Sequence, residues 1–363
     1  MLANSFVANG RANRVRQPVP SPAQRVESVP HLLVARPPRP RLLAIGVFQL
    51  LAQGGELFAE FVPGVRFGFV DRIVVVRLHL LDGTYELFRA FYGRPARQAP
   101  DGREVGATLG VIETTLSLLR EPGVTHLASA TDTVIESFRN DMFAGYKTGA
   151  GVDPLLMAQF PLVERAFSTI GVICWGMLEY EADDAIATAA WRWCEDVEQV
   201  VICTPDKDMC QCVIGDRVVT LNRREQIVLD EDGVKAKFGV GPESIPDYLA
   251  LVGDTADGVP GLPGWGPKSA ATVLGRWRHL EAIPTRAEDW EVTVRGAPKL
   301  AATLTERVED VFLYRDLTTL RKDAELKEDL SDLEWKGVDR AAFLELCDEL
   351  GFDDVRTRPH LWQ

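Results

Sequence analysis

With 363 residues and 46% hydrophobic side chains, the chain has room for two globular domains, or for one with appendages. Its formal net charge of −13 argues against a polybasic membrane binder and against broad electrostatic coating of nucleic acid. It leaves nucleic acid open as the substrate of a locally acidic site. The six cysteines, Cys174, Cys194, Cys203, Cys210, Cys212 and Cys347, form no CxxC pair and read as reduced thiols of a cytoplasm-like compartment. Cys203, Cys210 and Cys212 lie close together, but their spacing fits no common zinc site.

Residues 1–75 differ from the rest. The stretch VRQPVPSPAQRVESVPHLLVARPPRPR is rich in Pro and Arg, nearly free of acids and aperiodic, which predicts disorder. The apolar run LLAIGVFQLLAQ is too short to span a bilayer. An Arg-rich, acid-poor leader fits an organelle transit segment; the preferred reading is a start assigned too far upstream, with a compact domain beginning near Val76. The expected localisation is then cytoplasmic, and an organelle only if the leader is a genuine transit segment.

From Val76 a regular pattern begins. VVVRLHLLD ends in Asp82 and VTHLASATD in Asp132; GVICWGMLEYEADD runs into Glu181, Asp183 and Asp184, and EQVVICTPDKD ends in Asp206 and Asp208. Helix-like segments such as ATLGVIETTLSLLR and AIATAAWRWCED lie between these runs. The alternation predicts an α/β domain over 76–240 with a central, mainly parallel sheet flanked by helices. Ligands of such sheets bind beyond the carboxyl ends of the strands, and here every such end carries acid. Residues 241–280 change to Gly/Pro punctuation around short helices. In GLPGWGPKSA a tight turn leads into a helix with Lys268 in its first turn, and the exposed amides of such a helix start bind phosphate well. Residues 281–363 read as a helical extension containing Trp290 and Trp335, with no recognisable motif.

Two carboxylates about 4 Å apart repel by ~4 kcal/mol at an effective dielectric of ~20. Glu181, Asp183 and Asp184 cannot all face one side of a helix, so the helix should start inside the cluster, with Glu181 in the turn. Taken alone, the cluster fits an acidic first turn favoured by the helix dipole, worth ~0.3–1 kcal/mol, and Asp206 and Asp208 fit solvated turn residues. Acids at four strand ends favour a shared cation instead. Oxygen ligands without His or Cys suit Mg²⁺ or Mn²⁺. Two such ions about 4 Å apart can activate water and stabilise the leaving oxygen of a phosphodiester.

Over about residues 76–280 the chain resembles the 5′→3′ exonuclease and flap endonuclease family, found as the amino-terminal domain of bacterial DNA polymerase I and as standalone proteins. LLDGTYELFRAFYG, ATDTVIESFRNDMFAGYKTG, EADD, TPDKD and GDTADGVPGLPGWGPKSA are similar to five family blocks and occur in the family's order. The resemblance implies a PIN-like, resolvase-like 5′-nuclease fold, a helical arch at about 133–160 and a helix-hairpin-helix-type DNA-binding region at 241–280. It implies two Mg²⁺ ions per site, with Mn²⁺ as a substitute. Asp82, Asp132, Glu181 and Asp183 would hold the first ion. Asp184, Asp206, Asp208 and Asp257 would define the second or bind its waters, with Asp254 in support. Lys147 would face the scissile phosphate and act in catalysis with Asp183 and Asp184. Arg89, Arg139, Lys207, Gly264, Gly266 and Lys268 would contact DNA, and Tyr146 would either stack on a base or pack within the arch.

The implied activity is hydrolysis of DNA at a free 5′ end or 5′ flap, with no membrane association, a monomeric state, and a DNA polymerase or ligase as protein partner. Two positions depart from the family pattern. Ala150 stands where an Arg is usual, and Pro205 replaces a Gly before the DKD acids, fixing φ near −65°. These departures motivate a non-catalytic DNA-binding homologue as one alternative; an RNase of the same superfamily is another.

Overall fold

The computed structural model describes residues 76–363; the leader expected over residues 1–75 lies outside them. Among the described residues, the apolar runs form six strands: β1 (Arg77–Asp82), β2 (His126–Asp132), β3 (Ile173–Met177), β4 (Gln199–Cys203), β5 (Val218–Asn222) and β6 (Ile227–Leu229). They make one sheet in the order β3-β2-β1-β4-β5-β6. All neighbours pair in parallel except the β5–β6 hairpin, so the mainly parallel α/β expectation holds. The chain builds outward from β1 to β2 and β3, then crosses back to place β4 on the other side of β1. That reversal opens a crevice beyond the carboxyl ends of β1 and β4, the usual ligand position in such sheets.

Alternating side-chain direction along strands buried on both faces sorts the helices onto two sides. Leu81 of β1 points into a core shared with Leu87 of α1 (Gly83–Gly93) and Leu116 of α2 (Gly106–Leu118). Two short helices, α3 (Phe138–Met142) and α4 (Pro154–Met157), lead to α5 (Phe160–Ile170), which adds Val163 and Phe167 to that core. Leu78 and Leu80 face the other way, onto Ile186 and Ala189 of α6 (Ala182–Trp193). Each such fully buried Leu contributes about 1.5–3 kcal/mol.

A helical lobe follows: α7 (Glu231–Phe238), α8 (Ile245–Val252), α9 (Pro267–Trp277), α10 (Ala297–Glu306) and α11 (Val308–Thr318). Leu249, Leu274, Trp290 and Tyr314 form its core. Between α8 and α9 the chain turns back on itself at Gly261, whose φ is +70° and where a Cβ would lie 2.5 Å from the Gly253 nitrogen. No residue but glycine fits. The motif-poor region 281–363 serves both lobes. After α11 the chain returns to the sheet, where α12 (Arg340–Leu350) buries Phe343, Leu346 and Leu350 in the first core. Trp335 Nε1 donates to the Ile170 carbonyl at 2.9 Å. Among the described residues, no helix is long and apolar enough to cross a membrane.

Gly83 starts α1 directly after Asp82, and a Cβ there would lie 2.7 Å from both the Ala130 carbonyl oxygen and Ser129 Oγ. Gly83→Ala should therefore push α1 off the sheet and cost about 1–3 kcal/mol, read as a lower urea midpoint. An unchanged midpoint would show slack at this junction.

Candidate metal centre

The crevice is built from strand ends and one helix start. Asp82 closes β1 and caps α1: its Oδ1 accepts from the Tyr85 nitrogen at 2.8 Å, and Oδ2 accepts from Thr204 Oγ1 at 2.9 Å. The second bond ties the end of β1 to the end of β4. Asp132 closes β2, and its Oδ1 accepts from the Ala182 nitrogen, the first amide of α6, at 2.7 Å. Helix α6 starts inside the acidic cluster, with Glu181 as its cap. Glu181 Oε1 accepts from Ser137 Oγ at 2.7 Å, and its Oε2 lies 3.0 Å from Lys147 Nζ.

Burial and mutual charge act on these groups together. Burial pushes Asp82 up to about 7, with the charges of Asp132 and Asp206 adding to it against the Tyr85 and Thr204 hydrogen bonds. Burial likewise raises Asp132 to about 6, with Glu181 adding and Lys147 opposing. Asp183 is raised well above the usual range by burial, then by Asp206 and Asp82. Glu181 moves the other way, because Lys147 and Arg139 together outweigh its burial.

A second group lies beside the first. One carboxylate oxygen from each of Asp208, Asp254 and Asp257 falls within 4.8 Å of the others. Asp208 is buried, and its Oδ1 has no hydrogen-bond partner; leaving such an acceptor orphaned costs about 1–3 kcal/mol, and more for a charge. Burial and the neighbouring Asp206, Asp257 and Asp254 all raise Asp208. The nearest cation, Lys207 Nζ, is 3.7 Å from that oxygen and bonds Asp254 instead. Lys147 Nζ bridges Glu181 and Asp257 at 3.0 Å each. An all-oxygen donor set with an orphaned buried acceptor fits hard divalent cations, and the cluster has the composition of a two-metal centre.

Two expected roles need correction, and a third is decided between its alternatives. Asp184 is fully buried, and both its oxygens are engaged: Oδ2 accepts from Arg139 Nη1 and the Glu181 nitrogen, Oδ1 from Arg139 Nη2 and the Arg321 nitrogen. It has no lone pair aimed at an ion. Arg139 is 1% exposed and donates from Nε to the Leu317 carbonyl at 2.8 Å, so it holds the interior together and meets no phosphate. Tyr146 is buried in the helical core with its hydroxyl on Glu181 at 3.3 Å; of its two expected roles, packing is the one observed. Lys207 also stands on carboxylates, with its side chain 37% exposed.

Other expected residues lie farther out. Gly264, Gly266 and Lys268 border an open hollow of about 550 Å³ at the start of α9, facing Thr293 and Arg295. Arg89 pairs with Glu86 on α1. The Pro205 turn is satisfied: the Asp206 nitrogen donates to Thr204 Oγ1 at 3.2 Å, and the Asp208 nitrogen to Asp206 Oδ1 at 2.9 Å. Sequence reading missed Thr204, Ser137 and Thr84, the last accepting from the Asp132 nitrogen at 2.8 Å. Ser137 carried a signal, a Ser-x-x-Asn variant of the capping box with Asn140. Thr204 carried none.

Fold and centre together define an α/β domain whose carboxylate centre fits hard divalent cations. Residues 77–239 match the family described as "5'-3' exonuclease, N-terminal resolvase-like domain", and residues 240–341 the one described as "5'-3' exonuclease, C-terminal SAM fold". The 5'-3' exonuclease of Aquifex aeolicus is 32% identical over 264 residues, an alignment covering 72% of this chain and 88% of that protein. The chain belongs to the 5'-3' exonuclease family. DNA polymerase I of Pseudomonas aeruginosa is 37% identical over 278 residues, 76% of this chain but 30% of the polymerase; the chain spans under a third of that relative's length. In fold it is similar to T5 5'-exonuclease with divalent metal ions (zinc) bound, at TM-score 0.54 and 18% identity, covering 67% of this chain and 89% of that one. The catalytic core of Rad2 in complex with DNA substrate gives 0.52 at 14% identity, covering 78% and 91%.

Two measurements separate the paired acid Asp184 from the mutually repelling acids of the crevice. Arg139→Ala leaves Asp184 buried and unpaired, and should cost about 3–5 kcal/mol in urea unfolding. Asp183→Asn removes a repelling charge and should leave the metal-free protein as stable or more so. The second test is pH. Because Asp82 and Asp132 have raised values, the folded chain binds more protons than the unfolded one between their ordinary 3.8 and about 7 and 6. Stability in a chelator should therefore fall as pH rises through that window. Lowered Glu181 acts oppositely, but only at the acid end, around and below its ordinary 4.5. Added divalent cation should abolish the fall; a flat profile in chelator would refute the shared crevice.

Proposed function

We propose that the chain hydrolyses phosphodiester bonds of DNA at or near a free 5′ end or a 5′-flap junction, using Mg²⁺ with Mn²⁺ as a substitute. The observation that carries this reading is the second carboxylate group, where Asp208, Asp254 and Asp257 converge around an acceptor that no protein donor satisfies. On this reading Asp82, Asp132, Glu181 and Asp183 hold one ion, and Asp206, Asp208, Asp254 and Asp257 hold the other or its waters. Two bound ions would lower the pKa of a water and neutralise the leaving oxygen.

The chain's own groups do the rest. Thr204 and Tyr85 fix the Asp82 carboxylate in place, so its free lone pairs keep their direction. Ser137 does the same for Glu181. Lys147 supplies an ammonium beside both carboxylate groups, placed to face the charge that develops on a phosphoryl oxygen. The amides at the start of α9, with Lys268, offer a phosphate site remote from the centre and so a means of holding duplex while an end is cut. Trimming a 5′ end leaves a nick or gap, the substrate that polymerases and ligases consume, and this is the chemical reason to propose those partner classes. Nothing in the proposed site requires a second copy, consistent with a monomer.

The test incubates the full chain with labelled 5′-flap, nicked and single-stranded DNA and with an RNA flap, in Mg²⁺ or chelator. Mg²⁺-dependent release of short 5′ products from DNA is expected. Asp183→Ala and Asp208→Ala should each lower the rate at least about a thousandfold, the equivalent of several kcal/mol of lost charge stabilisation. Full activity in Asp183→Ala would end the proposal, and preferential cutting of the RNA flap would redirect it.

A further inference from the structure

Beyond Thr204 a separate hollow of about 150 Å³ opens, with Tyr85, Arg89, Thr204, Arg223 and Arg224 among its walls. It shares a wall with the carboxylate crevice, because Thr204 and Tyr85 are the two residues that bond Asp82. Its electrostatics are opposite. Three guanidiniums line it: Arg89 from α1, and Arg223 and Arg224 from the turn between β5 and β6. Glu86, 2% exposed, pairs with Arg89 and lies 3.8 Å from Arg223. Arg223 is pinned further by the Thr114 carbonyl at 3.1 Å and by Glu121 at 3.7 Å. Arg224 is exposed, with no carboxylate partner among the described residues.

Two carboxylates thus face three guanidiniums, leaving a positive hollow on a chain whose net charge is −13. Arginine forks held in fixed orientation recognise phosphate bidentately, and a desolvated wall strengthens the attraction. Such charge beside an acidic centre also offsets the repulsion that a polyanion meets there. We propose that this hollow binds a backbone phosphate of the DNA strand that enters the metal centre, with Arg224 as the free contact and Arg89 and Arg223 as the prearranged walls. The inference rests on the DNA-nuclease reading and adds the β5–β6 turn to the surface that grips substrate.

The test measures the affinity of the full chain for 5′-flap DNA by fluorescence anisotropy in chelator, across a salt series, with KM for cleavage in Mg²⁺ measured alongside. Arg224→Ala, at an exposed position, should keep the wild-type melting temperature. It should weaken binding and raise KM about tenfold, and reduce the slope of log affinity against log salt by about 1. Arg224→Lys should restore the slope but only part of the affinity, because a point charge lacks the fork. Unchanged affinity, KM and slope in Arg224→Ala, with wild type binding and cleaving normally, would overturn the subsite alone. Wild type that binds flap DNA but never cleaves it would overturn the nuclease reading, while the anisotropy series would still decide the subsite. Inorganic phosphate competing equally against wild type and Arg224→Ala would also count against it.

Discussion

Repulsion between buried carboxylates is the constraint around which this molecule is organised. A parallel sheet delivers strand ends to one edge, and here Asp82, Asp132 and the acids after β3 and β4 arrive there together. Left to themselves they would take up protons, because burial, with the neighbouring carboxylates adding to it, raises both Asp82 and Asp132. The chain keeps the site folded with fixed partners. Amides of α1 and α6 and the hydroxyls of Ser137 and Thr204 each take one lone pair. Lys147 and Lys207 supply positive charge from side chains that remain partly exposed, so an arriving cation can displace them at modest cost. What stays uncompensated, above all Asp208 Oδ1, is the part that a metal satisfies best.

The Arg139–Asp184 pair solves a different problem. Its two bonds of 2.7 Å are bidentate and shielded from water, the geometry in which an ion pair can offset its own desolvation. Arg139 also donates to the carbonyls of Leu317 and Thr319, and Asp184 accepts from the Arg321 amide. Three pieces of chain far apart in sequence, α3, α6 and the exit from α11, are therefore held at one point. The same α6 carries Asp183, so the lock also fixes the helix that presents this acid to the crevice. Asp183 and Asp184 are neighbours in sequence, yet Asp183 meets the crevice carboxylates Asp206 and Asp82 while Asp184 is taken up by Arg139.

That division marks where sequence reading stops. The strands were legible because Leu78, Leu80 and Leu81 sit in an apolar run that ends in acid, and alternation with helices left few topologies. Acids at the ends of four apolar runs were legible as a pattern, whereas Asp254 and Asp257 came only with the family resemblance. Arg139 and Asp184 were misjudged because pairing between residues 45 positions apart leaves no local pattern: a buried arginine and a phosphate-binding one look alike in one dimension. Tyr146 was undecided for the same reason, and burial decided it. Residues 281–363 showed no motif because they act by filling. Phe343, Leu346 and Trp335 finish cores whose other halves lie far upstream.

The segment before α4 couples the centre to its surroundings. Lys147 donates its backbone amide to the Asp257 carbonyl at 3.0 Å while its ammonium contacts the Asp257 carboxylate. Directly beside this contact Gly258, at φ +75°, sits so close to the Gly145 carbonyl that a Cβ would fall 2.2 Å from its oxygen. The loop carrying Asp254 and Asp257 and the loop carrying Lys147 are thus clamped together through backbone, at a place where no side chain fits. A change in position of one loop must be followed by the other. A cation held by Asp208, Asp254 and Asp257 would compete with Lys147 Nζ for the Asp257 carboxylate, while the Lys147 amide would keep its bond to the Asp257 carbonyl. This is the arrangement expected where metal binding and phosphate recognition must be set by one rigid frame.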